Sequence, residues 1–251
     1  MQILLSCAKT MADHTTIRTP RTTEPRFQQE ADAAAAALAS LPADDLARIL
    51  RVNRTIAAEN RRRYASFHDA ESLPALAAYT GIVFKRLDPG SFTDDDFEYA
   101  QEHLNITSFL YGLLRPLDAI RPYRLEGDTI LPGEEEQTRF DFWRQRLTDG
   151  FIRKIQADDG VLLNLASAEM KRLFDWRRLA REVRIITPEF RIREGDRLKT
   201  IVVYTKMCRG EMTRFALKGR IDHPESLKTF EWEGFRFDPS ASRGESWFYT
   251  M

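Results

Sequence analysis

The sequence predicts a single α+β domain over residues 1–251, with a central sheet surrounded by helices, and three observations carry that reading. Core-type strand segments at Gln2–Leu5 and Val161–Leu165 stand far apart, separated by long blocks of helical periodicity. A 43% hydrophobic fraction with 16 Phe and 4 Trp is enough for a packed core in a chain of this length. No repeat or linker breaks the order, and the only low-complexity stretch is the run Ala33 to Ala37.

Taken in order, Gln2–Leu5 reads as a short buried strand, and the threonine- and proline-punctuated Thr15 to Pro25 as a surface loop. Phe27 to Ala39 is an alanine-rich helix. Pro42, Asp44 and Asp45 open a second helix whose acids complement the N-terminal dipole and whose Leu46, Ile49 and Leu50 share a face. Arg54 to Phe67 continues as a helix, with Arg61-Arg62-Arg63 on its solvated side. Thr93 before three aspartates is an N-cap, and Phe97, Ala100 and Leu104 form the apolar stripe of the helix it starts. Phe140, Trp143, Leu147, Phe151 and Ile155 repeat at helical spacing and read as core, so Trp143 receives no chemical role. After the Val161–Leu165 strand comes a turn at Ala166-Ser167. A strand pair, Val183 to Ile192 with Leu198 to Tyr204, is expected across Glu194-Gly195-Asp196. Met212 to Leu217 is helical, and the alternating Phe230 to Phe237 is a late strand.

Composition excludes several classes. Lys+Arg and Asp+Glu both total 38, so the whole molecule has no net field toward nucleic acid or anionic membrane, and any such binding needs a local patch. The apolar opening is shorter than a secretory core, and no run approaches the roughly 18 apolar residues of a membrane span, so a cytoplasmic protein is expected. Two cysteines, Cys7 and Cys208, make no disulfide framework. His14, His68, His103 and His223 are scattered without metal-ligand spacing, and neither a metal nor a cofactor is expected.

Chemistry concentrates in Ser108 to Glu126, where Gly112, Pro116 and Pro122 stiffen a backbone bearing Arg115, Asp118, Arg121, Arg124 and Glu126. Such a cluster serves either as an ion-pair network tying elements together or as a ligand site. Four further segments echo this mixture of small, polar and charged residues, namely Ser6-Cys-Ala-Lys-Thr10, Ala78-Tyr-Thr-Gly81, Asn164-Leu-Ala-Ser167-Ala-Glu169 and Tyr204-Thr-Lys206-Met-Cys-Arg209-Gly210. With these five ordered motifs the chain, from Met1 to about Phe237, resembles the YaaA family of bacterial peroxide-stress proteins.

The resemblance implies a YaaA-like domain containing a helix-hairpin-helix-like element. Its incoming helix would be Asp94 to Leu104 and its turn Leu110-Tyr111-Gly112, with backbone N–H groups facing a DNA phosphate. It also implies protection against peroxide, by limiting iron-driven damage. The chain departs from the family pattern at Cys7, where proline is usual, at Phe109, where the first turn glycine is usual, and at Met207, where a lysine is typical. Ala168-Glu169-Met170 replaces the usual Asp-Glu-Tyr.

The candidate ligand- or nucleic-acid-binding residues are Lys9, Tyr79, Gly112, Arg115, Tyr123, Arg124, Asn164, Ser167, Lys206, Arg209 and Arg214. Lys206, Arg209 and Arg214 form a basic group on a turn and the helix after it, suited to phosphate recognition. Two functions remain open. One is a DNA-binding stress protein that takes a duplex or a junction. The other is an enzyme on a nucleobase, nucleotide or other anionic small molecule, with Lys9 as nucleophile or electrostatic stabiliser and Glu126 or Glu169 as acid/base. Cys7 and Cys208 would allow redox sensing or a metal if the two thiols met in one cleft, although small buried cysteines are the plainer reading. A monomer without membrane contact is the default expectation.

Overall fold

The computed structural model describes residues 1–134, 136–195 and 197–251. Strand β1 (Gln2–Leu5) enters directly from the N-terminus, and its ammonium is anchored by Asp158 at 3.0 Å and Asp159 at 3.2 Å. Three helices follow: α1 (Gln28–Ala39), α2 (Ala43–Leu50) and α3 (Arg54–Ala65). The Asn53 side chain caps α3 by accepting from the Ile56 amide at 2.9 Å. Strand β2 (Leu73–Pro74), the short α4 (Ala75–Ala78) and α5 (Ile82–Leu87) lead to α6 (Asp94–His103). A full capping box starts α6. The Thr93 hydroxyl accepts from the Asp96 amide at 3.2 Å, and the Asp96 carboxylate accepts from the Thr93 amide at 3.0 Å.

Here the structure departs from the helix-hairpin-helix expectation. The helix stops at His103 and the chain continues as strand β3 (Leu104–Ser108), which turns through Gly112 into strand β4 (Gly112–Leu114), antiparallel to it. The turn therefore joins two strands. Gly112 has φ +74°, and a Cβ there would stand 2.7 Å from the Trp143 ring, so this glycine serves a tight turn against a buried indole. Phe109 fixes the same corner, its carbonyl accepting from Trp143 Nε1 at 2.8 Å and Arg139 Nε at 3.3 Å. Strand β5 (Ala119–Ile120) then pairs with β2.

Helix α7 (Arg139–Ala157) buries the expected stripe of Phe140, Trp143, Leu147, Phe151 and Ile155. Strand β6 (Val161–Leu165), α8 (Ala168–Lys171), α9 (Trp176–Glu182) and the long strand β7 (Arg184–Glu194) follow. The expected partner strand, Leu198 to Tyr204, is only the short β8 (Arg197–Lys199). Val202 to Tyr204 belong instead to the first turn of α10 (Val202–Lys218). Their β-branched and aromatic composition favours a strand reading, but they are exposed, and the helix is set further along by Cys208, Met212 and Ala216 spaced four apart on its buried side. Asp196, in the expected hairpin turn, lies outside the described residues. The late strand divides into β9 (Glu231–Trp232) and β10 (Phe235–Phe237) around Gly234, and β11 (Ser246–Thr250) follows them.

Among the described residues nine of these strands build one mixed sheet, and β2 and β5 form a separate two-stranded one. The path of the larger sheet runs β4-β3-β1-β6-β7-β11-β10-β9, with β8 paired to β7. β1 lies parallel between β3 and β6, in register Ile3 with Leu104 and Ile3 with Leu163. β7 runs parallel to β6 through Ile186 and parallel to β11 from Thr187. The three central strands are buried at every position, as befits parallel strands covered on both faces. The buried apolar side chains form one connected cluster in an α+β domain. Among the described residues, no helix is long and apolar enough to cross a membrane.

Candidate functional site

The strand order reverses at β1. The chain leaves β1 for β3 on one side and later returns to β6 on the other. In sheets of this kind a crevice opens outside the carboxyl ends of the strands where the order reverses, and ligands bind there. A cavity of about 360 Å³ lies at that place. It is walled by the residues after β1, by Phe109 after β3, by Ser167 and Glu169 after β6, and by Lys206 and Arg209 of α10.

Local hydrogen bonds hold the three strand-end segments together. The Ser6 hydroxyl accepts from the Ser167 amide at 2.9 Å, joining the loops after β1 and β6. The Thr107 hydroxyl accepts from the Cys7 amide at 3.3 Å, joining β3 to the first loop. Ser167 also caps α8, accepting from the Met170 amide at 3.3 Å. The first loop presses so closely on the turn before α5 that a Cβ on Gly81 would stand 2.8 Å from the Ala8 Cβ, so glycine is required there. Ala12 donates to the Ala78 carbonyl at 2.8 Å and Thr80 to the Thr10 carbonyl at 3.1 Å, completing the seam.

Charge enters from three sides. Lys9 Nζ lies 2.9 Å and 3.1 Å from the two Glu126 oxygens, and Arg124 reaches Oε1 of the same carboxylate through Nη2 at 2.9 Å and Nε at 3.0 Å. Arg124 is itself positioned by Tyr64, whose hydroxyl donates to its carbonyl. Glu169 and Lys206 stand exposed at the mouth. Among the described residues neither they nor Arg209 takes part in an ion pair. Arg209 Nε is buried with no hydrogen-bond partner. Burial pulls this guanidinium's pKa down, opposed chiefly by nearby Glu189, yet an arginine remains a cation at any working pH.

A hydrogen-bonded aromatic floor lies beneath. The Tyr123 hydroxyl is 2.7 Å from Ser108 Oγ and 3.0 Å from the Tyr79 hydroxyl, and Ser108 Oγ accepts from the Tyr111 amide at 2.9 Å. Desolvation drives both phenols well above their ordinary pKa, so they remain neutral hydroxyls.

Of the residues singled out in the sequence, the cleft gathers Cys7, Lys9, Tyr123, Arg124, Ser167, Glu169, Lys206 and Arg209, with Glu126 bound to Lys9 at its edge. Tyr79 stands behind Tyr123. Asn164 is buried and occupied, accepting from the Ala166 amide at 3.3 Å and donating to Thr187 Oγ1 at 3.2 Å, so it shapes the strand end. Three further candidates are engaged elsewhere. Gly112 packs on Trp143. Arg115 pairs with Asp118 at 2.8 Å. Arg214 pairs with Asp88 at 2.7 Å. The expected basic turn is absent too, since Lys206 and Arg209 both sit inside α10.

Cys208 is fully buried in the core and does not line the cleft, so the cleft holds one of the two thiols. Burial pushes both thiols up to about 12, with Glu169 adding to the effect at Cys7 and Glu211 at Cys208. Burial of this kind disfavours the thiolate on which redox sensing depends. Among the described residues, no group of three or more His, Cys, Asp or Glu is arranged to hold a metal ion. Sequence reasoning missed Ser108 and Thr107 as supports of the site, and the only available signal was their place at the end of a strand beside a motif.

A mixed sheet with a charged crevice at its strand-order reversal defines an α+β protein whose candidate site lies at the carboxyl ends of its central strands. The chain belongs to the YaaA family: the family model described as "Peroxide stress protein YaaA" matches residues 1–241. It is similar to a UPF0246 protein of Bacteroides thetaiotaomicron, 59% identical over 96% of this chain and 95% of the relative. A UPF0246 protein of Parabacteroides distasonis is 47% identical with both chains fully covered. One from Burkholderia mallei is 35% identical over 99% of this chain and 98% of the relative.

Proposed function

We propose that the chain serves the peroxide-stress response of its family through this cleft, which binds an anionic ligand of nucleotide size in the cytoplasm. The observation that carries the reading is that Lys206 and Arg209, one helical turn apart on α10, both line the cleft and neither takes part in an ion pair among the described residues. Two cations one helical turn apart on one helix face, without carboxylate partners, suit charge-assisted contacts to a bound oxyanion. The phenol floor of Tyr123 and the apolar wall of Phe109, Leu125 and Met170 suit a flat base or a similar body.

If the site is catalytic, the geometry divides the carboxylates. Glu126 has both oxygens engaged by Lys9 and Arg124 and serves to position Lys9. Glu169 has no such engagement and is the better acid/base. Lys9, with its ammonium directed by Glu126, stabilises developing charge on the ligand.

A second reading takes the phosphate from DNA. Lys9 and Lys206 are exposed at the mouth, where a backbone phosphate could be met. Gly112, packed against Trp143, takes no part in it. Binding of labelled duplex, single strand and four-way junction at two salt concentrations separates the readings. Steeply salt-sensitive binding, weakened by Lys9→Ala and Arg209→Ala, supports DNA as the phosphate source. No binding at low salt leaves the small anion.

A further inference from the structure

A second cavity, of about 440 Å³, lies on the other side of β4 between that strand and α7, and its lining differs in kind from the motif cleft. Its wall is apolar, formed by Phe27, Leu147 and Phe151 among others, and its polar rim carries four cations and no carboxylate: Arg26, Arg115, Arg146 and Lys154.

Three of these four cations take part in no ion pair among the described residues. Lys154 is partly buried, and its ammonium donates to the neutral Asn105 Oδ1 at 2.7 Å. Among the described residues it has no carboxylate partner. Asn105 is itself fixed, its amide donating to Gln2 Oε1 at 3.0 Å and to the Ile3 carbonyl at 3.1 Å. Arg26 lies over Gly150 in the middle of α7, where a Cβ would come within 3.0 Å of its Nη1. Glycine inside a helix costs about 1 kcal/mol against alanine, and here its missing side chain makes room for a guanidinium. Arg146 lies with its guanidinium 3.6 Å from the Phe142 ring centroid and donates only to a carbonyl of its own helix. Only Arg115 is neutralised, by Asp118.

We propose that this pocket is a second binding site, for an amphipathic anion: a carboxylate or phosphate head at Lys154 and the arginines, with an apolar body along Phe27, Leu147 and Phe151. An isolated cation in a partly buried place is costly unless paired, and an anionic head supplies the missing partner. Desolvation, followed by the neighbouring Arg115, brings the Lys154 ammonium down to about 8, against the weaker opposing pull of Asp118, Asp158 and Glu102. The apolar wall beside the cations favours a small amphiphile over a nucleic-acid backbone, whose contacts are made through its phosphate charge.

The test is calorimetric titration of the intact protein with decanoate and decyl phosphate, with decanol and inorganic phosphate as the apolar-only and head-only controls. Saturable binding of decanoate or decyl phosphate is expected, the stronger of the two naming the head. Lys154→Met and Arg146→Gln should each weaken it by about tenfold, the effect of losing one charge-assisted contact. Lys9→Ala and Arg209→Ala should leave it unchanged, which separates this site from the motif cleft. Leu147→Trp, which fills the pocket without touching a charge, should abolish binding while circular dichroism and melting remain those of a folded protein. Equal binding of decanol, equal binding of inorganic phosphate, no binding by the wild type, or displacement of bound decanoate by duplex DNA would each overturn the proposal.

Discussion

Lys9 and Glu126 meet 2.9 Å apart although 117 positions separate them in the chain. The contact ties the loop after β1 to the end of the proline-stiffened central stretch. With Arg124 on the same carboxylate, it gives the cleft a fixed charged wall.

That pair positions charge more than it stabilises the fold. Lys9 is 60% exposed, and exposed ion pairs contribute about 0–1 kcal/mol. Glu126→Gln is therefore expected to shift the urea midpoint little. It should weaken ligand binding in the cleft because Lys9 loses its direction, and equilibrium unfolding beside a binding titration reads both.

Gly112→Ala tests the β3–β4 turn. The substitution meets positive φ and the Trp143 ring at 2.7 Å together, so a loss of about 2 kcal/mol or more is expected in chemical unfolding. A helix-hairpin-helix contact to DNA would instead show as weakened DNA binding at unchanged stability.

Cys7 should be unreactive. Burial, with Glu169 adding to it, pushes its thiol from 9.0 to about 12, so its thiolate is strongly disfavoured at pH 8. Alkylation followed by intact mass should be correspondingly slow in the folded protein and fast in denaturant. The same shift has a sign for stability. The folded state keeps this proton above pH 9 while the unfolded state releases it, so stability falls as pH rises toward 12. Tyr79 and Tyr123, also raised by burial, act in the same direction from about pH 10. An alkaline melting series on wild type and on Tyr79→Phe should show the variant losing less stability with rising pH.

Asp238 gives the opposite dependence. Its carboxylate accepts from the Ser240 hydroxyl at 2.6 Å, the Ala241 amide at 3.1 Å, Arg193 at 2.6 Å and Thr250 at 3.1 Å. These bonds, led by that from Ser240, hold it far below 3.8. Its contribution is complete above the unfolded value and is lost as pH falls through the folded one. Acid titration followed by Trp247 fluorescence should show loosening of the β10–β11 region below about pH 4, with that dependence reduced in Asp238→Asn.

Local signals were the most legible in the sequence. Thr93 with Asp96 announced a helix start, and the Phe140 to Ile155 stripe announced a buried face, because both follow from spacing along one element. The cleft motifs were legible as a group through family resemblance, and Lys9, Arg124, Glu169 and Arg209 do converge. Pairing between distant elements was not legible. Nothing in the chain shows that Arg214 meets Asp88, 126 positions away, or that Gly112 opens a three-residue strand rather than a second helix. Val202 and Val203 misled for a different reason: they are strand-forming residues in the exposed first turn of a helix whose buried face begins later.

The most direct test of the cleft is calorimetric titration of the wild type and Arg209→Ala with purine and pyrimidine mononucleotides at low and high salt. The account expects saturable binding of at least one nucleotide that persists at high salt and weakens about tenfold or more in Arg209→Ala. No binding by the folded wild type, or binding indifferent to Arg209, would contradict it.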